Sequence, residues 1–120
     1  MNERKPRLIE TEKFILKEAF VDSDGESVWC ITNLQNKNDL FYVHCYFSGS
    51  LYISFLKGIH CNYNFALASL RELCKILLEQ YAILTINIYY TNKFLIGLCR
   101  KIGFRKQHNV RHLYYLKSVK

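Results

Sequence analysis

The sequence predicts an α+β fold: a mixed, mostly antiparallel sheet with two main helices in the C-terminal half. Three observations predict it. Short aromatic and β-branched runs separated by turn residues fill the first half, as consecutive antiparallel strands do. Apolar residues then recur every three or four positions from Ala66 to Tyr81, the mark of an amphipathic helix. Beyond them, an alternating stretch from Ala82 to Tyr90 leads into a second helical stripe that ends at a glycine.

The first seven residues read as a loose arm, and Leu8 to Phe20 fits either a strand or a short helix. VDSDGES, Val21 to Ser27, is a turn cluster: Asp and Ser bond nearby backbone, and Gly25 accepts positive φ. Val28 to Leu34 reads as a strand, Gln35 to Asp39 as a turn, and Leu40 to Phe47 as an aromatic strand suited to a pleated surface and to a dimer edge. Ser48-Gly49-Ser50 suits a hairpin connection into a third strand, Leu51 to Leu56. In the helix that follows, Ala66, Leu70, Leu73, Leu77 and Tyr81 form the apolar face, and Asn62 or Asn64 is placed to cap the first turn. On the next strand Leu84, Ile86 and Ile88 share one side, and Thr85, Asn87 and Tyr89 the other. Asn92 opens the second helix, whose stripe is Phe94 or Leu95 with Leu98 and Ile102. Gly103 ends it in the left-handed conformation, and His112 to Leu116 is a last strand.

With 120 residues, half of them hydrophobic and 22% charged, the expectation is one folded domain over 1–120 rather than a disordered chain. No apolar run reaches the roughly 18 residues of a membrane span. The charged opening MNERKPRLIETEK lacks the apolar centre of a signal peptide, so a soluble cytoplasmic protein is expected. The five cysteines include no CxxC pair, which supports neither a zinc ribbon nor a dithiol redox motif. They read as free thiols packed as small hydrophobes in a reducing compartment. His108 and His112 are four apart, but they fall in a loop-to-strand segment without a third ligand, so no metal is expected.

The net charge of +7 is uneven. Through Glu79, nine Lys and Arg oppose ten Asp and Glu; from Gln80 onward there are eight Lys and Arg and no carboxylate. Such a block favours an anionic partner: nucleic acid, an acidic protein or a phosphorylated cofactor. Interleaved Phe94, Phe104, Tyr114 and Tyr115 fit a nucleic-acid surface, and equally a solvated basic face over core aromatics.

The stretch YTNKFLIGLCRKIGFRK, Tyr90 to Lys106, resembles a late motif of the GNAT superfamily of N-acetyltransferases, Asn-x-x-Ala-x-x-Leu-Tyr-x-x-x-Gly-Phe directly after a strand. Asn92, Leu98, Gly103 and Phe104 fall at the expected spacings; Leu95 replaces the small residue, and Cys99 stands where the tyrosine often stands. The resemblance runs from Leu51 onward and implies a GNAT-like sheet. In it the strand before Asn92 splays from its neighbour, leaving backbone around Ile86 and Asn87 free for the pantetheine arm of acetyl-CoA. The family's pyrophosphate loop, Gln/Arg-x-x-Gly-x-Gly/Ala, is here HCNYNFALA, His60 to Ala68. Asn62 stands near the usual Arg, Tyr63 and Asn64 follow, and Ala66 matches the final small residue. The glycines are missing, and Tyr63 narrows an approach that helix N-termini otherwise favour for anions.

Acetyl transfer needs a general base and a group that reprotonates the thiolate. No carboxylate occurs between Asp39 and Glu72, where many family members carry a glutamate. The polar candidates are Tyr52, Ser54, His44 and His60, of which the histidines suit the base because imidazole titrates near neutrality. Cys99 is the candidate thiol. The resemblance therefore implies an acetyl-CoA-dependent N-acetyltransferase acting on an amine. Because LEQY (Leu78 to Tyr81), followed by strand, Asn and Ile-Gly, is similar to segments of bacteriophage proteins, it also implies a second function: a catalytically silent virion or morphogenesis protein that binds a macromolecule. The basic segment alone suggests a third, nucleic-acid binding.

Overall fold

In the computed structural model the described residues are 5–21, 25–55 and 61–118. Five strands come first: β1 (Leu8–Glu10), β2 (Phe14–Val21), β3 (Ser27–Asn33), β4 (Leu40–Cys45) and β5 (Ser50–Phe55). Helix α1 (Tyr63–Leu77), strand β6 (Ile83–Asn87), helix α2 (Lys93–Ile102) and strands β7 (Arg105–Lys106) and β8 (Leu113–Lys117) complete the order. They form one mixed sheet, β1-β2-β3-β4-β5-β6-β8-β7, in which only the β5–β6 pair is parallel.

The sheet has two unlike faces because strand side chains alternate. Leu16, Trp29, Ile31, Phe41 and Val43 point to the face where α1 lays Leu70, Leu73 and Leu77, and α2 lays Leu95 and Leu98. Burying a side chain of this size contributes about 1.5–3 kcal/mol, so this layer carries the fold. The opposite face presents Cys30, Tyr42, His44, Tyr52 and Thr85, and no helix among the described residues covers it. Among the described residues, no helix is long and apolar enough to cross a membrane.

The ambiguous segment Leu8 to Phe20 is a β-hairpin, β1 against β2, turned by Thr11, whose hydroxyl accepts the Phe14 N–H at 3.0 Å. At the bulge after Glu18 the carboxylate faces the core and meets Arg7. Two expectations are corrected. β4, the aromatic strand, lies between β3 and β5, so its ladder is paired on both sides and offers no dimer edge; β1 and β7 are the edges. A short strand, β7, was also not anticipated, because two residues carry no periodic signal. Asp22 to Asp24 of the first turn cluster lie outside the described residues, whereas Gly25 and Gly49 take the positive φ that their turns require.

Candidate functional site

The site follows from where one ladder stops. β5 and β6 pair only at Ser50↔Thr85 and Leu51↔Ile86, although β5 continues to Phe55. Beyond Leu51, β5 stays with β4 as far as Phe41↔Phe55. β6 instead follows β8, and the Ile88 N–H donates to the His112 carbonyl at 2.8 Å. The strands therefore part, and both helices begin at the open end.

Each helix start is fixed by an asparagine. The Asn62 Oδ1 accepts the Phe65 N–H at 3.0 Å, and the Asn92 Oδ1 accepts the Leu95 N–H at 3.2 Å, satisfying donors that no carbonyl of the helix can reach. The closing glycine behaves as its spacing implies: Gly103 has φ 125° and donates to the Cys99 carbonyl. Asn62, Tyr63 and Asn64 are exposed on the α1 side, and Asn87 and Asn92 on the β6–α2 side. These candidates share the open end. Ile86 and Ala66 do not line it with their side chains, which are in the core at 2% and 0% exposure. His60 lies outside the described residues.

Two features were not legible beforehand. The Phe55 ring lies 5.6 Å from Phe94, and Phe94 lies 6.0 Å from Tyr63, both edge to face. With Phe41 at 5.3 Å from Phe55, these rings bridge β4, β5, α2 and α1 across the open end. In addition, the Asp39 Oδ2 accepts the Asn62 N–H at 3.1 Å and the Asn33 Nδ2–H at 3.2 Å. A built-in carboxylate thus sits at the positive end of α1, where an anionic ligand would gain most. A cavity of about 310 Å³ beside it is lined by Lys13, Asn33, Gln35, Asn62 and Asn64.

The histidine candidate gains a partner that sequence spacing hid. His44 stands on the helix-free face directly across from Tyr52, one position past the last residue that pairs with β6. Its ring stacks on Tyr46 at 4.2 Å, and the Glu26 Oε2 lies 4.0 Å from its Nε2. A carboxylate therefore does reach this neighbourhood, from the start of β3 rather than from β5. The register pairs Val28 with His44, and Glu26, two residues before Val28, comes near the ring from there.

Cys99 is corrected as a catalytic candidate. It is buried in the stripe of α2 at 0% exposure, and burial pushes its thiol up to about 12. It fills core volume and is closed to a substrate. Cys45 is pushed up to about 11 by burial, which outweighs a hydrogen bond from Tyr81; Cys74 is raised further, again chiefly by burial. All five cysteines are free thiols. Because the thiolate is the nucleophile, iodoacetamide at about pH 8.5 is expected to modify half-buried Cys30 first. Cys45, Cys74 and Cys99 are expected to react only after unfolding in urea. Peptide mass spectrometry reads the order, and early labelling of Cys99 would contradict its sealed placement.

An α+β sheet opened at its one parallel pair, with two capped helices starting at the opening, defines an acetyltransferase-like fold. A crystallised protein from Sphaerobacter thermophilus, described as a "putative acetyltransferase", shares it: the TM-score is 0.60 over 94% of this chain and 97% of that one, at 8% identity. At that identity the likeness is one of fold. No family model matches the sequence, and no curated protein matches it.

Proposed function

We propose that the protein is a GNAT-type N-acetyltransferase that binds acetyl-CoA in the opening between β5 and β6 and acetylates an amine reaching it from the helix-free face. The observation that carries this is the ladder ending after Leu51 and Ile86 while β5 runs on to Phe55. Backbone polar groups need partners, and an amide-bearing chain lying along β5 can supply them. The match of Asn92, Leu98, Gly103 and Phe104 to the family pattern supports the same site. The cofactor would supply the activated acetyl group. Asn62, Tyr63 and Asn64 would meet its phosphates at the start of α1, and Asn87 and Asn92 would flank its arm. His44, steadied by Tyr46 and Glu26, would take the proton released by the amine, directly or through a water.

The Phe55–Phe94–Tyr63 rings and the Asp39 carboxylate favour a second reading, a catalytically silent GNAT-like protein of bacteriophage type that binds a macromolecule. Calorimetry with acetyl-CoA separates the two. If the Phe94 ring must swing out before the arm enters, a tenfold rarer open state weakens apparent affinity about tenfold. Phe94→Ala is then expected to bind about tenfold more tightly than the natural chain, and Asp39→Asn to bind more tightly as well. Absence of heat from all three proteins would leave the silent reading.

A further inference from the structure

We propose that the outer face of α2, together with the Tyr89–Tyr90 turn before it and β7 after it, binds single-stranded nucleic acid. This surface adjoins the opening at the start of α2 and runs away from it along the helix, and the inference does not depend on acetyl-CoA being the cofactor.

Charge is the first observation. No Asp or Glu occurs after Glu79, so nothing in this part of the chain neutralises its eight Lys and Arg. Lys93, Arg100 and Lys101 are exposed on α2, seven and eight residues apart, which at 3.6 residues per turn puts them on one side of the helix. Arg105 and Lys106 on β7 extend the stripe. Between the lysine and the arginine lies Gly97, exposed, with nothing within 4 Å of where a Cβ would stand. The helix is therefore low at its middle and lets a sugar–phosphate chain approach its backbone.

The rings are the second observation, and they are independent of the charge. Tyr89 and Tyr90 are 72% and 64% exposed, so Tyr90, which alternation would place on the core side with Ile88, is not a core aromatic. His112 joins them: its ring centroid is 5.1 Å from Tyr89 and 6.2 Å from Tyr90, the latter within 17° of parallel. The backbone holds His112 there at φ 66°, with its carbonyl accepting the Ile88 N–H, so the loop before β8 is tied to the end of β6. A centroid separation of 6.2 Å is close to two stacking steps of roughly 3.4 Å, so a slight opening admits one base between Tyr90 and His112.

Together these features fit a strand whose phosphates follow Lys93, Arg100 and Lys101 while a base stacks at Tyr90. A lipid surface fits poorly, because the exposed residues of α2, Lys93, Gly97, Arg100 and Lys101, include no large apolar side chain to insert. An acidic peptide would use the charges but leave the rings without a partner.

The test is fluorescence anisotropy of the full chain with labelled mixed-sequence DNA and RNA single strands of about 12 nucleotides at about 50 mM salt. Binding of either strand that weakens steadily with salt is expected, and the tighter arm identifies the sugar preferred. Gly97→Glu puts a carboxylate into the stripe at a position with open space, so it adds a repelling negative charge without crowding the fold; it is expected to weaken binding at least tenfold. Tyr90→Ala is expected to weaken oligonucleotide binding about tenfold while leaving binding of heparin, which has charge but no bases, unchanged. No binding at about 50 mM salt would overturn the proposal. So would an equal loss for heparin and oligonucleotide in Tyr90→Ala, or displacement of the oligonucleotide by saturating acetyl-CoA.

Discussion

Replacing Gly49 with alanine is expected to cost about 4 kcal/mol of stability, a loss reached only through identifiable backbone or core mechanisms. Two mechanisms add at this residue. Its φ of 87° lies in the left-handed region, where a side chain costs about 1–2 kcal/mol. In addition, a Cβ would stand 2.6 Å from the Ile83 carbonyl oxygen, and that atom belongs to the backbone of β6 and cannot rotate away. The collision falls at the base of the opening, where the Gly49 carbonyl accepts the Thr85 N–H at 3.0 Å beside the two residue pairs of the parallel ladder. A chain that pushes β6 away there loses the junction that defines the site as well as stability. Urea unfolding reads the loss, and Gly49→Asn separates its causes. Asparagine tolerates positive φ but carries the same Cβ, so it should lose nearly as much as alanine. A near-natural midpoint for Gly49→Asn would mean that strain acts alone and that the close approach to Ile83 is unimportant.

Gly49 also illustrates what is legible in a sequence. A Ser-Gly-Ser between two strand patterns specifies its turn locally, as Asn62, Asn92 and Gly103 specify the helix ends, since each acts on backbone within four residues. The hairpin of β1 and β2 is turned by Thr11-Glu12-Lys13, which contains none of Gly, Pro, Asn or Asp, and so gives no signal of its own. Features of the site that join distant segments stayed hidden. Asp39 meets Asn62 across 23 positions, and Phe55 meets Phe94 only because β5 and α2 converge at the opening. The resemblance located the opening, and only packing revealed that rings cross it. Ile86 and Ala66 fall on positions that the family pattern marks, yet their side chains serve the core, because a motif position fixes the backbone more strictly than the direction of a side chain.

Arg7→Ala is expected to lose about 3 kcal/mol, although Arg7 stands outside every strand. Glu18 is the reason: its side chain is fully buried, at the bulge where β2 turns a carboxylate toward Trp29. Arg7 reaches it through three donors, its backbone N–H at 2.9 Å and its Nε and an η-nitrogen at 3.2 and 3.3 Å. Its guanidinium also lies 5.0 Å from the centre of the Trp29 ring. Alanine keeps the backbone donor and removes the charge, so the carboxylate stays in the core with its compensation reduced. Breaking a buried pair at one end typically costs about 3–5 kcal/mol; Arg7 is 29% exposed, which argues for the lower end. Adding Glu18→Gln to Arg7→Ala removes the buried charge while keeping its shape, and should recover about 1–2 kcal/mol. The double-mutant cycle decides the matter. A loss below about 1 kcal/mol for Arg7→Ala, the range of exposed ion pairs, would show that water reaches Glu18 and that the N-terminal hairpin is held by its ladder alone.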